Sequence, residues 1–399
     1  MMRKICLISA LILFLACHAA GAEYCELTHE CRFTAALRSN EVRRVTDENY
    51  GRIWNGKGDV MSVRLPAGEH ALGIQLSFFR NAVPVVVEAL DASGAVTGEA
   101  VYEDRFLNAY IPLACDGTYH IRASDPAADL RLNRVQVFAG DEIHPDAQTW
   151  QEPEGTMDLL QIVTHPDDDL IWFGGLLPTY AGERHMKVLV AYAATQGALK
   201  AGRFNELLDG LWTCGVRFYP EFGPFADFQA QSVPMVTSRW GAGAAEAWCT
   251  GLIRRYRPKV VVTQDLRGES GHAQHKALAQ AVADAVTEWA GNADRDPESA
   301  AAYGLYTPQK LYIHRYRQQE IFMDWDRPLS AFNGKTGAQV AREAFHKHVS
   351  QRKSHYRIYT SGPMDSRYLG LYFSAVGEDV DKDDLFEHVD LTPEAQPDQ

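Results

Sequence analysis

Residues 161–170 read QIVTHPDDDL, an apolar, β-branched run that closes on a histidine, a proline and three consecutive aspartates. The run suits a buried strand, and Pro166 restricts the turn that follows it. Three adjacent carboxylates repel one another, which raises the cost of ionising them. Such a cluster is therefore either well solvated or tied to a cation. Apolar strands at 187–193 and 259–263 resemble it, and each precedes a segment of helical period. Phe204, Leu207, Leu208, Leu211 and Trp212 fall on one face of the first segment; Leu278, Val282, Val286 and Trp289 do so in the second. This alternation predicts an α/β unit with a mostly parallel sheet covered by helices on both faces. In such sheets ligands gather at the carboxyl ends of the strands. HPDDD stands at one such end, and a second polar run, TQDLRGESGHAQH (263–275), at another.

Upstream the pattern is different. DVMSVRL (59–65), ALGIQLSFF (71–79), PVVVEAL (84–90), TYHIRAS (118–124) and LRLNRVQVF (130–138) are short β-rich runs separated by turn-formers. They predict an all-β sandwich over 23–140, a polar linker over 141–155 and the α/β unit over 156–399. Trp54, Tyr102 and Tyr110 read first as core or edge residues; if the sandwich binds carbohydrate, they are the aromatics that would stack on sugar rings.

The chain has 399 residues, more than one ordinary domain, and its 46% hydrophobic and 23% charged residues are those of a globular protein. A formal net charge of -13 argues against recognition of nucleic acid or of an anionic membrane through the overall field. The first 22 residues combine Arg3 and Lys4, an apolar core from Ile5 to Ala16 and the small-residue site Ala20-Gly21-Ala22. That is the form of a secretory signal peptide, too short for a stable membrane span. Cleavage after Ala22 removes two positive charges and takes the chain from -13 to -15. It places the mature protein outside the cytoplasm, secreted or periplasmic, with lipid anchoring at Cys17 as the alternative. Five cysteines remain after residue 22, and only Cys25 and Cys31 are close enough in sequence to suggest a disulfide. Cys214 and Cys249 lie in apolar helical contexts and read as buried small hydrophobes.

His165 and Asp168, three residues apart on a proline-restricted turn, can converge on one cation, since imidazole and carboxylate are both ordinary zinc ligands at roughly 2.0 to 2.2 Å. His275 would complete three protein ligands, the number that leaves a catalytic zinc one open position. Asp168 would then bind metal, Asp167 would stay off it as the base that takes a proton from water, and Asp169 would support the ligands. The cation offsets the repulsion among the carboxylates. His272 precedes His275 by three residues, so both can point the same way, one to ligate and the other to serve the developing oxyanion or the leaving nitrogen. Either run alone reads as a solvated loop or an incidental H-x-x-H. Calcium is disfavoured because the alternating pattern of an EF-hand loop is absent. Two such runs at strand ends of one unit make coincidence a poor account.

T-H-P-D-D-D (164–169) together with G-H-A-Q-H (271–275) resembles the paired signatures A-H-P-D-D-E and G-H-x-D-H of the PIG-L or LmbE-type zinc de-N-acetylases. Thr195-Gln196-Gly197, Arg203-Phe204-Asn205-Glu206, Cys214-Gly215-Val216 and His348-Val349-Ser350-Gln351 agree with it, over roughly residues 157–360. The resemblance implies a Rossmann-like, LmbE-like sheet with zinc held by His165, Asp168 and His275. It also implies Asp167 as general base, His272 as transition-state stabiliser and Arg203 as a substrate contact. Asp169 stands where the family has Glu, and Gln274 where it has Asp, which removes a carboxylate beside the last ligand. The expected activity is hydrolysis of an N-acyl group, in the first place acetyl, from an amino sugar or glycoconjugate. Two rivals are a carbohydrate-binding protein with an inactive hydrolase-like domain and a zinc amidase acting on a non-sugar amide.

Overall fold

The computed structural model describes residues 24–47, 49–197 and 202–392; the expected signal peptide and its cleavage site lie outside the described residues. Residues 24–140 are built from strands β1 Tyr24–Glu26, β2 Arg32–Ala35, β3 Trp54–Asn55, β4 Met61–Arg64, β5 Ala71–Phe78, β6 Val85–Leu90, β7 Val96–Tyr102, β8 Asn108–Ile111, β9 Thr118–Ala123 and β10 Arg131–Gly140. They pair antiparallel in two sheets, β1-β10-β5-β8 with β3 on β10, and β2-β4-β9-β6-β7. Ile74, Leu76, Val135 and Val137 of the first sheet share one core with Met61, Val87, Tyr119 and Ile121 of the second. The outer face of β9 is only half-buried, with the period-two alternation that an antiparallel sheet with one solvated side requires.

The second part runs β11 Leu159–Val163, α1 Asp168–Ile171, β12 Val188–Gly197, α2 Arg203–Thr213, β13 Glu221–Asp227, α3 Val233–Trp240, α4 Ala244–Tyr256, β14 Val260–Thr263, α5 Ala273–Asp284, α6 Pro297–Tyr303, β15 Lys310–His314, β16 Glu320–Phe322, α7 Gly337–Lys347 and β17 Tyr368–Ser374. Its seven-stranded sheet is mixed, in the order β13-β12-β11-β14-β15-β17-β16. The pairs from β13 through β15 are parallel, and β17 and β16 close the edge antiparallel. Both faces are covered. Leu159 and Val163 of β11 belong to one core while Leu160 and Ile162 belong to another, and Val260 and Val262 of β14 part from Val261 in the same way. Leu207, Leu208 and Leu211 of α2 pack into the first core, each side chain gaining about 1.5–3 kcal/mol over exposure. α4 and α5 fill the second core on the opposite face.

Several expectations change. Cys31 is a free thiol, pushed up to about 12 chiefly by burial, so the bridge to Cys25 is not formed. Cys25 lies on β1 and Cys31 leads into β2, in different sheets. Trp54, Tyr102 and Tyr110 are core residues, 0%, 9% and 8% exposed, which agrees with their first reading and removes the stacking alternative. The stretch 141–155, expected as a linker, is packed: Ala147, Gln148 and Trp150 are buried, and the Trp150 ring meets Trp212 and Tyr219 edge-on.

The first core runs without a break from the sandwich into α2 and β11, and a buried polar seam accompanies it. Asn133 Nδ2 donates to Asn205 Oδ1 (2.9 Å), and Asn205 Nδ2 donates to Asn108 Oδ1 (2.8 Å). Asp209 accepts from the Tyr50 hydroxyl (2.5 Å), Gln148 Nε2 (2.6 Å), Arg134 Nη1 (3.1 Å) and Asn108 Nδ2 (3.2 Å). Removing one partner of such a network leaves buried donors unpaired, and breaking a buried ion pair costs about 3–5 kcal/mol. Asp209→Ala is accordingly expected to lower the thermal midpoint by several degrees, read by circular dichroism. A midpoint within one degree of the parent would show the seam to be energetically neutral.

Candidate active site

β11 and β14 are hydrogen-bonded neighbours, so the two polar runs that follow them meet although about 100 residues separate them. His165, Pro166 and Asp167 form the turn after β11, and Asp168 and Asp169 open α1. His272 caps α5 at its N-terminus, and His275 is buried in the first turn of that helix. The rings of His165, His272 and His275 surround one point, with centroids 5.0 Å, 5.1 Å and 4.7 Å apart.

Three donor atoms form a nearly equilateral triangle. His165 Nδ1 lies 3.0 Å from His275 Nε2, and Asp168 Oδ2 lies 3.2 Å from the first and 3.3 Å from the second. Ligands about 2.0 to 2.2 Å from a tetrahedral ion stand roughly 3.3 to 3.6 Å apart, so the triangle is close to, and slightly tighter than, one face of such a coordination shell. The tautomer agrees. Gln274 Nε2 donates to the Ala226 carbonyl (2.9 Å), which turns its Oε1 to within 3.0 Å of His165 Nε2. With the proton on Nε2, His165 Nδ1 carries a lone pair towards the triangle. Asp227 Oδ1, 3.5 Å from the same Nε2, strengthens that polarisation. Trp172 Nε1 donates to Asp168 Oδ1 (2.8 Å) and leaves Oδ2 for the triangle.

The electrostatics describe a place made for positive charge. Burial opposes protonation of His165, but its contacts with Asp168 and Asp227 push it up to about 10. Burial alone would raise Asp168, yet His275 and His165 hold it well below the usual carboxylate range. A cation at the centre of the triangle supplies the charge that a proton otherwise provides. The ligand atoms of His165, His272 and His275 also lie within 4.8 Å of one another, so the three imidazoles are a second, looser candidate set.

Asp167 stands beside the triangle and outside it. Burial pushes it up to about 6, against the pull of Arg203, whose Nη2 donates to Asp167 Oδ2 (2.9 Å) and to the Pro166 carbonyl (2.9 Å). Oδ1 takes no part in that ion pair. The expected substrate contact Arg203 is thus ion-paired with Asp167. Burial, with the Asp167 and Asp168 charges, pushes Asp169 up to about 8. His272 is lowered to about 4 by burial and then by the other two imidazoles, which keeps it neutral.

Arg203 is the first residue of α2, whose Asn205 and Asp209 are fastened to the sandwich by the seam described above. The N-terminal strands thus fix the helix that orients Asp167. His348 is buried, lowered to about 3 by burial and the Arg203 charge, and packs against Gly210 of the same helix. Two neighbours of His165 escaped the sequence reading. Asp227 ends β13, a half-buried strand without a strong apolar run, and Gln274 counted as a loss rather than as the group that orients His165.

Residues 160–286 match the family model described as PIG-L: GlcNAc-PI de-N-acetylase. A 1D-myo-inositol 2-acetamido-2-deoxy-alpha-D-glucopyranoside deacetylase of Rhodococcus opacus is 30% identical over 179 residues, 39% of this chain and 60% of that protein. The corresponding deacetylase 1 of Catenulispora acidiphila is 28% identical over 178 residues, 38% of this chain and 55% of that protein. Among solved structures, N,N'-diacetylchitobiose deacetylase from Pyrococcus horikoshii is 16% identical and overlaps 49% of this chain and 71% of that one, with a TM-score of 0.38. The chain thus spans little more than half the length of the curated relatives it matches. Residues 160–286, which carry both polar runs, form a domain of the PIG-L, or GlcNAc-PI de-N-acetylase, family.

Proposed function

We propose that the chain is a zinc-dependent hydrolase that removes an N-acyl group, in the first place acetyl, from an amino sugar or glycoconjugate. The observation that carries this reading is the triangle of His165 Nδ1, Asp168 Oδ2 and His275 Nε2, with the carboxylate of Asp167 beside it and not part of it. The relatives described above, deacetylases of an acetamido-glucopyranoside, support the choice of acyl group and sugar. Two imidazoles and one carboxylate are a ligand set suited to catalytic zinc.

When bound, the ion supplies Lewis-acid polarisation of the acyl carbonyl and makes water a nucleophile near neutral pH. The side chains do the rest. Arg203 holds Asp167 through Oδ2, so Oδ1 accepts the proton of the attacking water. Neutral His272, placed opposite by the cap of α5, donates a hydrogen bond to the carbonyl oxygen as it gains charge. The proton held by Asp167 then passes to the leaving nitrogen, which departs as the free amine. Gln274 and Asp227 keep His165 in its ligating tautomer throughout. The closer fit of the Asp168 triangle favours it over the three imidazoles as the ligand set.

Acetate release from a panel of N-acetylated mono- and oligosaccharides by zinc-loaded protein tests the reading, with an equal panel of acylated peptides and thiol conjugates alongside. Turnover of at least one acetylated sugar is expected. Hydrolysis confined to the non-sugar amides would overturn the substrate class, and no hydrolysis by folded, zinc-loaded protein would overturn the activity.

A further inference from the structure

A cavity of about 520 Å³ lies between the sandwich and the hydrolase-like part, within the size range of small-ligand sites. Arg80 and Asn81, on the loop after β5, line it from one side; Gln196, Gly197, Phe204 and Phe222 line it from the other. None of the metal-site residues lines it, yet it adjoins them on two sides. Gly197 is in register with Asp227, which touches His165, and Phe204 follows Arg203, which holds Asp167. Phe222 lies five residues before Asp227 on the same strand, roughly 17 Å at ordinary strand rise. The cavity therefore leads away from the catalytic centre along the edge of the sheet.

Its lining has a definite chemistry. Phe204 and Phe222 stand edge to face at 5.0 Å and give an aromatic wall. Gln196 and Asn81 offer amide donors and acceptors. At the far end Arg105 is neutralised: it donates to both oxygens of Glu152 at 2.7 and 2.8 Å and lies over the Tyr219 ring. Arg80 is exposed, its guanidinium 5.7 Å from the Phe79 ring, and no carboxylate pairs with it among the described residues. On a chain of net charge -13, one uncompensated guanidinium at the mouth of a cavity marks a local preference for an anion. The seam of Asn133, Asn205 and Asp209 fixes the two walls relative to each other, so the cavity is preformed.

We propose that this cavity is the subsite for the part of the glycoconjugate remote from the acyl group, and that Arg80 makes it select a residue bearing a carboxylate or a phosphate. The proposal rests on the hydrolase reading above for the orientation of the ligand. The planar fork of a guanidinium matches either anion, and the aromatic wall accepts the apolar face of a sugar ring. Binding energy won there, away from the reacting bond, holds the acyl group in place at the metal site.

The test compares three N-acetylglucosamine disaccharides on zinc-loaded full-length protein: one with a neutral second sugar, one with a uronate, one with a sugar phosphate. Calorimetric affinity and kcat/KM are both read, as the ratio of each anionic ligand to the neutral one. The parent is expected to prefer one anionic ligand about tenfold or more, the scale of a hydrogen bond to a charged group. Arg80→Ala should reduce that ratio to within twofold of unity, and Arg80→Lys should keep most of it. Whichever anion gives the larger ratio identifies the source of the charge. Ratios near unity in the parent for both anions, or an unchanged ratio in Arg80→Ala, would overturn the subsite. Binding preference without turnover of any of the three would count against the hydrolase reading and leave the subsite standing, because affinity is read separately.

Discussion

His275→Ala is expected to give a folded protein that loses its metal and, with it, all measurable hydrolysis. Nε2 of His275 supplies one corner of a triangle whose sides are 3.0, 3.2 and 3.3 Å, and alanine leaves only two of three protein ligands. Outer partners of a ligand alone are typically worth about 10- to 100-fold in metal affinity, so a direct ligand exceeds that. The fold should survive, since α5 keeps Leu278, Ala281 and Val282 in its core. Elemental analysis after equilibration with one equivalent of zinc measures the effect, with His272→Ala as the comparison. His272 belongs to the looser set, and its removal should leave metal content near one per chain while turnover falls about 10²- to 10³-fold. Full zinc in His275→Ala, or metal loss in His272→Ala with retention in Asp168→Asn, would replace the proposed ligand set by the three imidazoles.

The parallel part of the sheet and the two polar runs were legible because period and position carry them. β11 and β14 are buried throughout, being covered on both faces, and HPDDD and GHAQH meet at their carboxyl ends, where ligands gather in such a sheet. The burial of Leu207, Leu208 and Leu211 follows from helical spacing in the same way. What escaped lacks any period. β7 has an exposed face, β15 gives way to an antiparallel edge through β17, and the short β8 carries Asn108 because that residue bonds across the seam rather than packing in a core.

The seam explains why part of the linker is packed rather than solvated. Polarity and proline at 141–155 suggest solvent, but Gln148 is polar because it donates to Asp209, 61 residues away, and Trp150 donates to that same Gln148. Amide pairs such as Asn133 with Asn205 satisfy each other only once the fold has formed, so no local pattern announces them. The same holds for Arg203. The resemblance implies a substrate contact there, and the pairing of its guanidinium with Asp167, from the start of a helix fastened to the sandwich, is an added role that no local pattern announces.

Asp167→Asn is expected to keep its metal and its fold while losing about 10²- to 10⁴-fold in kcat, the usual range for a general base. The substitution is isosteric, and its geometry is dictated by Arg203. Arg203 Nη2 donates to Oδ2 of the carboxylate, so asparagine settles with its amide oxygen on the guanidinium and its NH₂ in place of Oδ1. An NH₂ group cannot accept the proton of water. Ground-state contacts with the acyl sugar are little altered, so KM should change far less than kcat. Zinc stoichiometry and the thermal midpoint, measured on the same preparation, separate loss of the base from loss of the ion or of the fold. Turnover within a few-fold of the parent would move the base elsewhere. Asp169 is a poor substitute, being 1% exposed. Asp227 is the residue that would then be tested, because its carboxylate reaches to within 3.5 Å of His165 from the open side of the site with its side chain 23% exposed.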